Sequence, residues 1–177
     1  MALTIPNRFF PNTVADADQV NADFDAVAAY ANSTLETVAT HNSDIALLPK
    51  GKVAFTQTTA VVSGITVVTD IVTATFTALA SRYYRITGYA TATSSVAGDE
   101  IDVTLTDNTP TTIQLARQRI GGTGALYMFF SPIVVVQPGA GSKTYRLRIL
   151  RSSGTGSITH TPATTDPAFI LIEDIGL

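Results

Sequence analysis

The stretches VTATFTA at residues 72–78 and IDVTLT at residues 101–106 alternate residue by residue between apolar and polar side chains. Successive side chains of a β-strand point to opposite faces, so this period of two predicts strands with one buried and one solvated face. YRLRI at residues 145–149 repeats the pattern with arginines on the polar side. Together the three stretches predict antiparallel strands packed around a shared core.

Similar patterns continue in both directions and fill the chain from Lys52 to its end, interrupted by Gly- and Pro-rich turns. The candidate strands lie near residues 52–60, 62–69, 70–79, 82–93, 99–107, 111–120, 124–136, 143–152, 155–160 and 168–175. Eight to ten short strands with turn signals between them are typical of a sandwich of two sheets. We therefore predict a mainly β protein with a β-sandwich head at residues 52–177.

The composition agrees with this prediction. The chain has 177 residues, of which 28 are threonine, 45% are hydrophobic and only 14% are charged. Threonine and other β-branched residues suit pleated, half-buried surfaces. A chain of this length fits one domain with an appendage, and its low charge favours permanent association through exposed apolar area.

A heptad strip at residues 16–48 precedes the strands, and seven of its nine positions are apolar. With Val20 taken as a, the a series is Val20, Val27, Thr34, His41 and Leu48, and the d series is Phe24, Ala31, Val38 and Ile45. Such a seam is typical of helices that pack against copies of themselves, with His41 as a polar residue that sets the register. We predict an oligomerising, coiled-coil-like stalk, and a trimer in preference to a dimer. The alternative is an amphipathic helix lying on its own domain, with Ala28, Leu35 and Ala39 widening the stripe.

Short segments flank this helix. Residues 1–15 contain two prolines and too few apolar residues for a core, which predicts an extended arm. Phe9 and Phe10 give that arm a compact pair of anchors for another protein. Pro49 ends the helix, and residues 49–51 form a linker to the head.

No catalytic or metal-binding pattern stands out. The chain has no cysteine, which excludes disulfides and thiolate metal sites. His41 and His160 lie on different predicted elements, without partners at metal-ligand spacing. The glycine-rich segments 121–124, 139–141 and 154–156 open no helix and lack the lysine of a phosphate loop, so we interpret them as turns. We expect no enzymatic activity and no cofactor.

Three groups of polar residues leave alternatives open. The acidic group could ligate calcium, the arginines could gather into a glycan- or phosphate-binding strip, and the tyrosines could stack on sugars. A solvated edge, exposed strand faces with ion pairs, and core packing are the plainer explanations. The groups are Asp99, Glu100, Asp102, Asp107 and Asn108; Arg82, Arg85, Arg117, Arg119, Arg146, Arg148 and Arg151; and Tyr83, Tyr84, Tyr89 and Tyr127.

The opening sequence, the hydropathy and the net charge limit where the protein is expected to act and what it is expected to bind. The opening MALTIPNRFF lacks the basic region and continuous apolar core of a signal peptide, and no stretch of about 18 apolar residues occurs. A net charge of −3 argues against nucleic acid. We expect no export by such a signal, no membrane insertion and no nucleic-acid partner.

Several segments resemble proteins of tailed bacteriophages. PNTVADADQVNADFDAVAAYANS at residues 11–33 is similar to the opening of fibre and minor virion proteins, where an extended arm leads into a short oligomerising helix. Residues 75–91, 98–107, 141–159 and 167–177 resemble small β domains of minor tail and head-fibre proteins, especially those of actinobacterial phages. Together these segments cover nearly the whole chain.

The resemblance implies a structural component of the virion, namely a homotrimeric short fibre or decoration protein with a jelly-roll-like head. The resemblance allows three types of virion protein: a head fibre, a capsid decoration protein or a minor tail protein. Its partners would be copies of itself and phage capsid or tail proteins. The alternative is a carbohydrate-binding adhesin, a receptor-binding tail protein that uses Tyr and Arg side chains to recognise host surface glycan during host attachment. The chain has no repetitive shaft, and no receptor-binding residue carries over.

Overall fold

The computed structural model describes residues 16–121 and 128–177. The helix and the strands fall into two compact units that divide between Leu48 and Pro49. The predicted arm at residues 1–15, with Phe9 and Phe10, lies outside the described residues, as does Tyr127. The elements are α1 (Ala17–Leu47), β1 (Gly51–Thr58), β2 (Val62–Ile65), β3 (Thr69–Ala78), β4 (Tyr83–Ser94), β5 (Glu100–Thr106), β6 (Thr112–Arg119), β7 (Met128–Phe130), β8 (Ile133–Val136), β9 (Gly141–Ser153), β10 (Ile158–His160) and β11 (Ala168–Gly176).

The helix α1 is capped at both ends. The Asp16 carboxylate accepts a hydrogen bond from the backbone N–H of Asp18 at 3.0 Å, which satisfies one of the free donors of the first turn. Leu48 is the C-cap, with extended backbone angles (φ −64°, ψ 150°), and Pro49 follows it. Helical geometry therefore ends at Leu47, one residue before the predicted end of the seam. In residues 16–121 and 128–177, no helix combines the length and apolarity needed to cross a bilayer.

The strands form two antiparallel sheets with jelly-roll topology. Sheet I has the order β1–β11–β4–β10–β2, with β7 and β8 pairing to the other edge of β4; sheet II has the order β3–β9–β5–β6. Sheet I contains three interrupted strands, each formed by two successive pieces. These are β1 with β2, β7 with β8, and β10 with β11. When each interrupted strand is counted once, the described residues form eight strands. Numbered in chain order, they lie side by side as 1-8-3-6 in sheet I and as 2-7-4-5 in sheet II, which is the jelly-roll arrangement. The predicted fold class is confirmed.

One predicted strand is divided. The pattern at residues 124–136 predicts a single strand, but its described part consists of β7 and β8, separated by Ser131 and Pro132. Proline has no N–H to give to the ladder, and its carbonyl here accepts from the Gly88 N–H at 2.9 Å. The two pieces consequently pair with different parts of β4.

The core lies between the inner faces of the two sheets. Because apolar and polar residues alternate along the strands, every second side chain points inward. The largest of these inward side chains are fully buried. They include Ile86, Ile170 and Ile172 of sheet I and Ile101, Leu105, Leu147 and Ile149 of sheet II. Because all of these side chains belong to the strands, the head has a core of its own. Burial of each one stabilises the head by about 1.5–3 kcal/mol.

Candidate functional site

The first candidate site is the apolar strip of α1, where no residue is buried. Phe24 is 69% exposed and Ile45 63% exposed. The residues that widen the stripe in the alternative prediction, Ala28, Leu35 and Ala39, are exposed as well. The helical seam consists of Val20, Phe24, Val27, Ala31, Thr34, Val38, His41 and Ile45, which span an arc of about 100° at 3.6 residues per turn. The apolar strip is therefore exposed along the whole of α1.

The spacing corrects the heptad lettering. The step from Val20 to Phe24 is four residues and the step from Phe24 to Val27 is three, whereas the step from a to d is three. The a positions are therefore Phe24, Ala31, Val38 and Ile45, and the d positions are Val20, Val27, Thr34 and His41. Leu48 would be the next d position, but it lies at the C-cap. The face itself is unchanged.

The polar residue Thr34 carries no free donor into the seam. Its hydroxyl donates to the Tyr30 carbonyl at 2.9 Å, one turn back along the helix. This bond satisfies the hydroxyl within α1 and leaves the methyl group for packing. Thr34 can therefore be buried between helices without an unsatisfied polar atom.

The head presents a polar outer face on sheet II, which holds part of the predicted arginine strip. Arg148 Nε lies 2.6 Å and Arg146 Nε 3.4 Å from the Asp70 carboxylate. Arg117 binds Asp102 through two hydrogen bonds of 2.6 and 2.7 Å. The strip is thus assembled from β9 and β6, but each of these three guanidinium groups already has a carboxylate partner.

The remaining arginines lie elsewhere. Arg85 pairs with Glu173 across β4 and β11, and Arg119 Nε donates to the Gly98 carbonyl. Arg151 shares the inward phase of Ile149 and donates to the Gly156 carbonyl at one end of the sandwich. Fewer arginines therefore share one face than the sequence pattern allowed, because chain order does not reveal which strands become neighbours.

A buried ion pair joins the start of β4 to the end of β11. Arg82 Nε and Nη2 donate to the Asp174 carboxylate at 2.6 and 2.7 Å, and both side chains are almost fully buried. The Gly176 N–H adds a third hydrogen bond at 2.9 Å. Burial alone would raise the pKa of Asp174, but the hydrogen bonds from Arg82 and Gly176 outweigh it and leave the pKa lowered. The pair is a structural element of the head.

The acidic residues predicted as possible calcium ligands do not converge. Asp99 is buried, and its carboxylate accepts from the Ser94 hydroxyl and from the backbone N–H groups of Thr155 and Gly156. Burial acts to raise the pKa of Asp99, yet these hydrogen bonds lower it overall. Asp107 accepts from residues of its own turn. Among the described residues no group of His, Asp and Glu side chains is arranged to hold a metal ion.

The two histidines have different surroundings. His41 is an exposed residue of the helical seam. His160 is fully buried, and its Nδ1 donates to the Thr91 carbonyl at 2.8 Å. Its Nε2 has no hydrogen-bond partner within the described residues. Burial lowers the pKa of His160, so the ring is neutral at pH 7.

A cleft of about 350 Å³ lies between the β5–β6 turn and the β8–β9 turn, and it was not anticipated from the sequence. Asp107, Asn108, Ile113, Gln137, Lys143 and Tyr145 are among its lining residues. Burial and the charge of Asp107 raise the pKa of Tyr145 to about 12, so the phenol remains a hydrogen-bond donor. The turn motifs DNTP and QPGAG are visible in the sequence, but only the topology brings them together.

The outer face of sheet I is largely apolar, with the Arg85–Glu173 ion pair at one end. One row across the sheet runs from Phe55 to Leu171, Thr87 and Ile133, and Phe169 lies opposite Tyr89 in the next row. Phe55 is 46%, Ile133 51% and Phe129 60% exposed. We define the sheet I face as Phe55, Thr87, Tyr89, Phe129, Ile133, Val135, Phe169 and Leu171.

The predicted tyrosines have different environments. The Tyr89 ring stacks on Phe169 with centroids 5.5 Å apart, and its hydroxyl donates to Asp166 at 3.0 Å. Burial and this hydrogen bond raise the pKa of Tyr89 to about 12. Tyr84 belongs to the core, where its hydroxyl accepts from the Leu79 N–H, whereas Tyr83 is exposed. The tyrosines do not form one sugar-stacking surface.

Neither a known protein family nor a curated protein matches the sequence. Among solved structures, the chain is similar to the VP2 subviral particle of infectious bursal disease virus, with 16% identity, a TM-score of 0.42, and coverage of 72% of this chain and 38% of that chain. It is also similar to the carbohydrate-binding module CBM36 in complex with calcium and xylotriose, with 14% identity, a TM-score of 0.34, and coverage of 67% and 98%. The corresponding values for the enzymatically active domain of tailspike protein 4 of bacteriophage CBA120 are 16%, 0.28, 66% and 19%. With TM-scores below 0.5, these likenesses assign no function to the chain.

Proposed function

We propose that this protein is a homotrimeric structural component of a tailed-bacteriophage virion, a short fibre or decoration protein. In this proposal residues 1–15 anchor the chain on the capsid or tail, α1 assembles three copies, and the jelly-roll head is displayed outward. The observation that carries the proposal is the uncovered helical seam joined directly to a head with its own core. Such a chain is built for assembly and display.

The seam requires assembly because α1 has little to stabilise it alone. Its 31 residues include threonine and asparagine, which lower helix propensity, and none of its side chains is buried. Isolated helices of modest propensity are marginal in water, so packing of the apolar strip must supply the missing stability. Copies of the same chain offer a strip that matches in length and spacing.

The corrected lettering favours three helices over two. Parallel dimers prefer β-branched residues at a and leucine at d, whereas β-branched residues at both positions shift the preference to trimers and tetramers. Here Val38 and Ile45 occupy a, and Val20, Val27 and Thr34 occupy d. No d position within α1 carries leucine.

A non-enzymatic role is part of the proposal. Three fully buried groups that could perform acid–base chemistry, Asp99, Asp174 and His160, all form hydrogen bonds that hold strands or turns together. Each of these interactions serves the fold, and none of these groups lines the cleft.

The test has two parts. Light scattering of the purified full chain should give three times the 18.6 kDa of one chain. Mass spectrometry of purified phage particles should detect the protein at a constant ratio to the major capsid protein. A monomer at micromolar concentration would contradict the trimer, and absence from washed particles would contradict the virion assignment.

The cleft favours a second candidate function, that of a carbohydrate-binding adhesin. Its volume of about 350 Å³ falls within the range of small-ligand sites, and Lys143, Gln137 and Tyr145 offer polar groups to a sugar. A glycan array probed with the full chain tests this function. Tyr145→Phe should weaken any binding seen there, whereas Tyr83→Phe, outside the cleft, should not. A polysaccharide-cleavage assay on the bound glycan would separate adhesion from hydrolysis.

A further inference from the structure

We propose that the sheet I face packs against the head of a second copy of this chain within the oligomer. The inference rests on the proposed homotrimer, but it assigns a separate interface, made by the heads and not by α1. Its basis is the contrast between the two outer faces of the sandwich, together with the place where α1 joins the head.

The sheet I face is too extensive to be a scatter of single apolar residues. It crosses four strands, about 14 Å at 4.8 Å per step, and follows β4 for about 20 Å from the row of Val135 to the row of Phe129. Its area is therefore about 300 Å², comparable to the largest apolar patch on an ordinary monomer. Phe55 and Phe169 approach with ring centroids 5.7 Å apart, and Tyr89 continues the aromatic row. Patches of this size are often functional.

The outer face of sheet II has the opposite character. Its β3 row consists of Thr73, Thr75 and Thr77, all exposed, and the neighbouring strands carry the Arg–Asp pairs. The Thr75 and Thr144 hydroxyls are hydrogen bonded at 2.9 Å. This face is mainly polar and its ion pairs are satisfied in water, so burial is more favourable on the sheet I side.

The connection between α1 and the head identifies the occupant. Four backbone steps separate Leu47 from Gly51, so β1 begins within about 14 Å of the end of its helix. Parallel helices that share one axis thus bring the β1 strands of all copies close to that axis. Phe55 lies on β1, at the edge of the sheet I face. Because β1 starts so close to the axis, the adjacent head of a cyclic oligomer is within reach of this face.

The charges on this face allow identical surfaces to approach. Arg85 is paired with Glu173, with Nη2 and Oε2 2.7 Å apart. Lys52 lies opposite Glu173 in the ladder, and its ammonium is 5.9 Å from the centre of the Phe55 ring. Positive and negative groups are therefore interspersed at one end of the patch, which limits like-charge repulsion between copies.

The absence of cysteine from the sequence provides a direct test. A single thiol is introduced by Thr87→Cys, in the centre of the sheet I face, and the rate of its reaction with a soluble disulfide reagent is measured on the full chain. The same measurement is made with Phe24→Asp added, which breaks the helical seam. Thr73→Cys on sheet II is the matched control, and light scattering records the mass of every variant.

We expect the Thr87→Cys thiol to react about tenfold more slowly in the trimer than in the Phe24→Asp monomer, and Thr73→Cys to react at the same rate in both. Equal Thr87→Cys rates in a confirmed trimer and its monomer overturn the head contact and leave the proposed function intact. A thiol protected in both states is covered by its own chain, which also overturns the proposal. Protection of Thr73→Cys alone would move the interface to sheet II.

Two further outcomes separate this inference from the proposed function. If the chain without Phe24→Asp is a monomer and its Thr87→Cys thiol reacts rapidly, both proposals fail. If the Phe24→Asp variant remains trimeric with the thiol protected, the heads hold the copies together, and the helical seam is not the interface that matters most.

Discussion

Replacing Phe24 with aspartate should dissociate the trimer while leaving each head folded. Phe24 is 69% exposed in the single chain. A phenylalanine encloses roughly 200 Å² when fully buried, so seam formation removes about 140 Å² of this side chain from water. At about 25 cal/mol per Å², the loss is about 3.5 kcal/mol per chain and about 10 kcal/mol per trimer. This corresponds to about seven orders of magnitude in the three-body dissociation constant.

Aspartate adds a further penalty, because its charge would be moved out of water into a seam without a cation to pair with it. Light scattering should show the mass falling to that of one chain at micromolar concentration. Far-ultraviolet circular dichroism should show a parallel loss of helical signal, since α1 is marginal alone. The thermal transition of the head should persist, because its core contains no residue of α1.

Two variants serve as controls for this experiment. Ala29→Asp introduces the same charge about 180° from Val20 on the helix, so it should leave the mass unchanged. Phe24→Leu keeps an apolar side chain and should preserve the trimer. If Phe24→Asp retains both the mass and the helicity of the unmodified chain, Phe24 does not face a partner and the assignment of the seam is wrong.

Three other outcomes are expected. Since burial lowers the pKa of His160 below the ordinary value of 6.5, the unfolded chain binds more protons as the pH falls below that value, and the free energy of unfolding should decrease until the folded-state pKa is reached. His160→Asn should reduce the difference between urea unfolding at about pH 7.5 and about pH 5.5, and an unchanged difference would contradict this. Gly154→Ala should lower the midpoint temperature of thermal unfolding by more than Gly139→Ala does. Both glycines have positive φ, but of the two only Gly154 is placed so that an added Cβ would collide with the Asp99 carboxylate. Equal effects of the two substitutions would refute this explanation. Deleting residues 2–13 should preserve the trimer but abolish copurification with particles in a complemented deletion phage, and wild-type occupancy would place the anchor elsewhere.

The sandwich was predictable because alternation is a local property. The prediction at residues 70–79 differs by one residue at each end from β3, and that at residues 143–152 lies inside β9. The division between β7 and β8 was also readable, because Pro132 interrupts an apolar run and proline rarely continues a ladder. The helix bounds followed from Asp16 and Pro49.

The candidate surfaces were less predictable because they depend on which strands become neighbours. Asp102 and Arg117 face each other across a hairpin, which is a short-range relation, but Asp70 and Arg148 are 78 residues apart. The sheet I face escaped notice for another reason. In runs such as AFILI at residues 168–172, both sides of the strand are apolar, so the alternation that reveals a face disappears.

The pairing of β1 with β11 determines how the head bears mechanical force. A pull on the helix enters the head at Gly51, the first residue of β1. The ladder with β11 runs from Gly51 opposite Asp174 to Thr58 opposite Ala168, so tension along the strand loads its hydrogen bonds together in shear. Asp174, opposite the point of entry, is tied to Arg82 at the start of β4. Tension directed along β1 is therefore shared by the whole ladder and is passed through Asp174 and Arg82 to β4, inside the sheet.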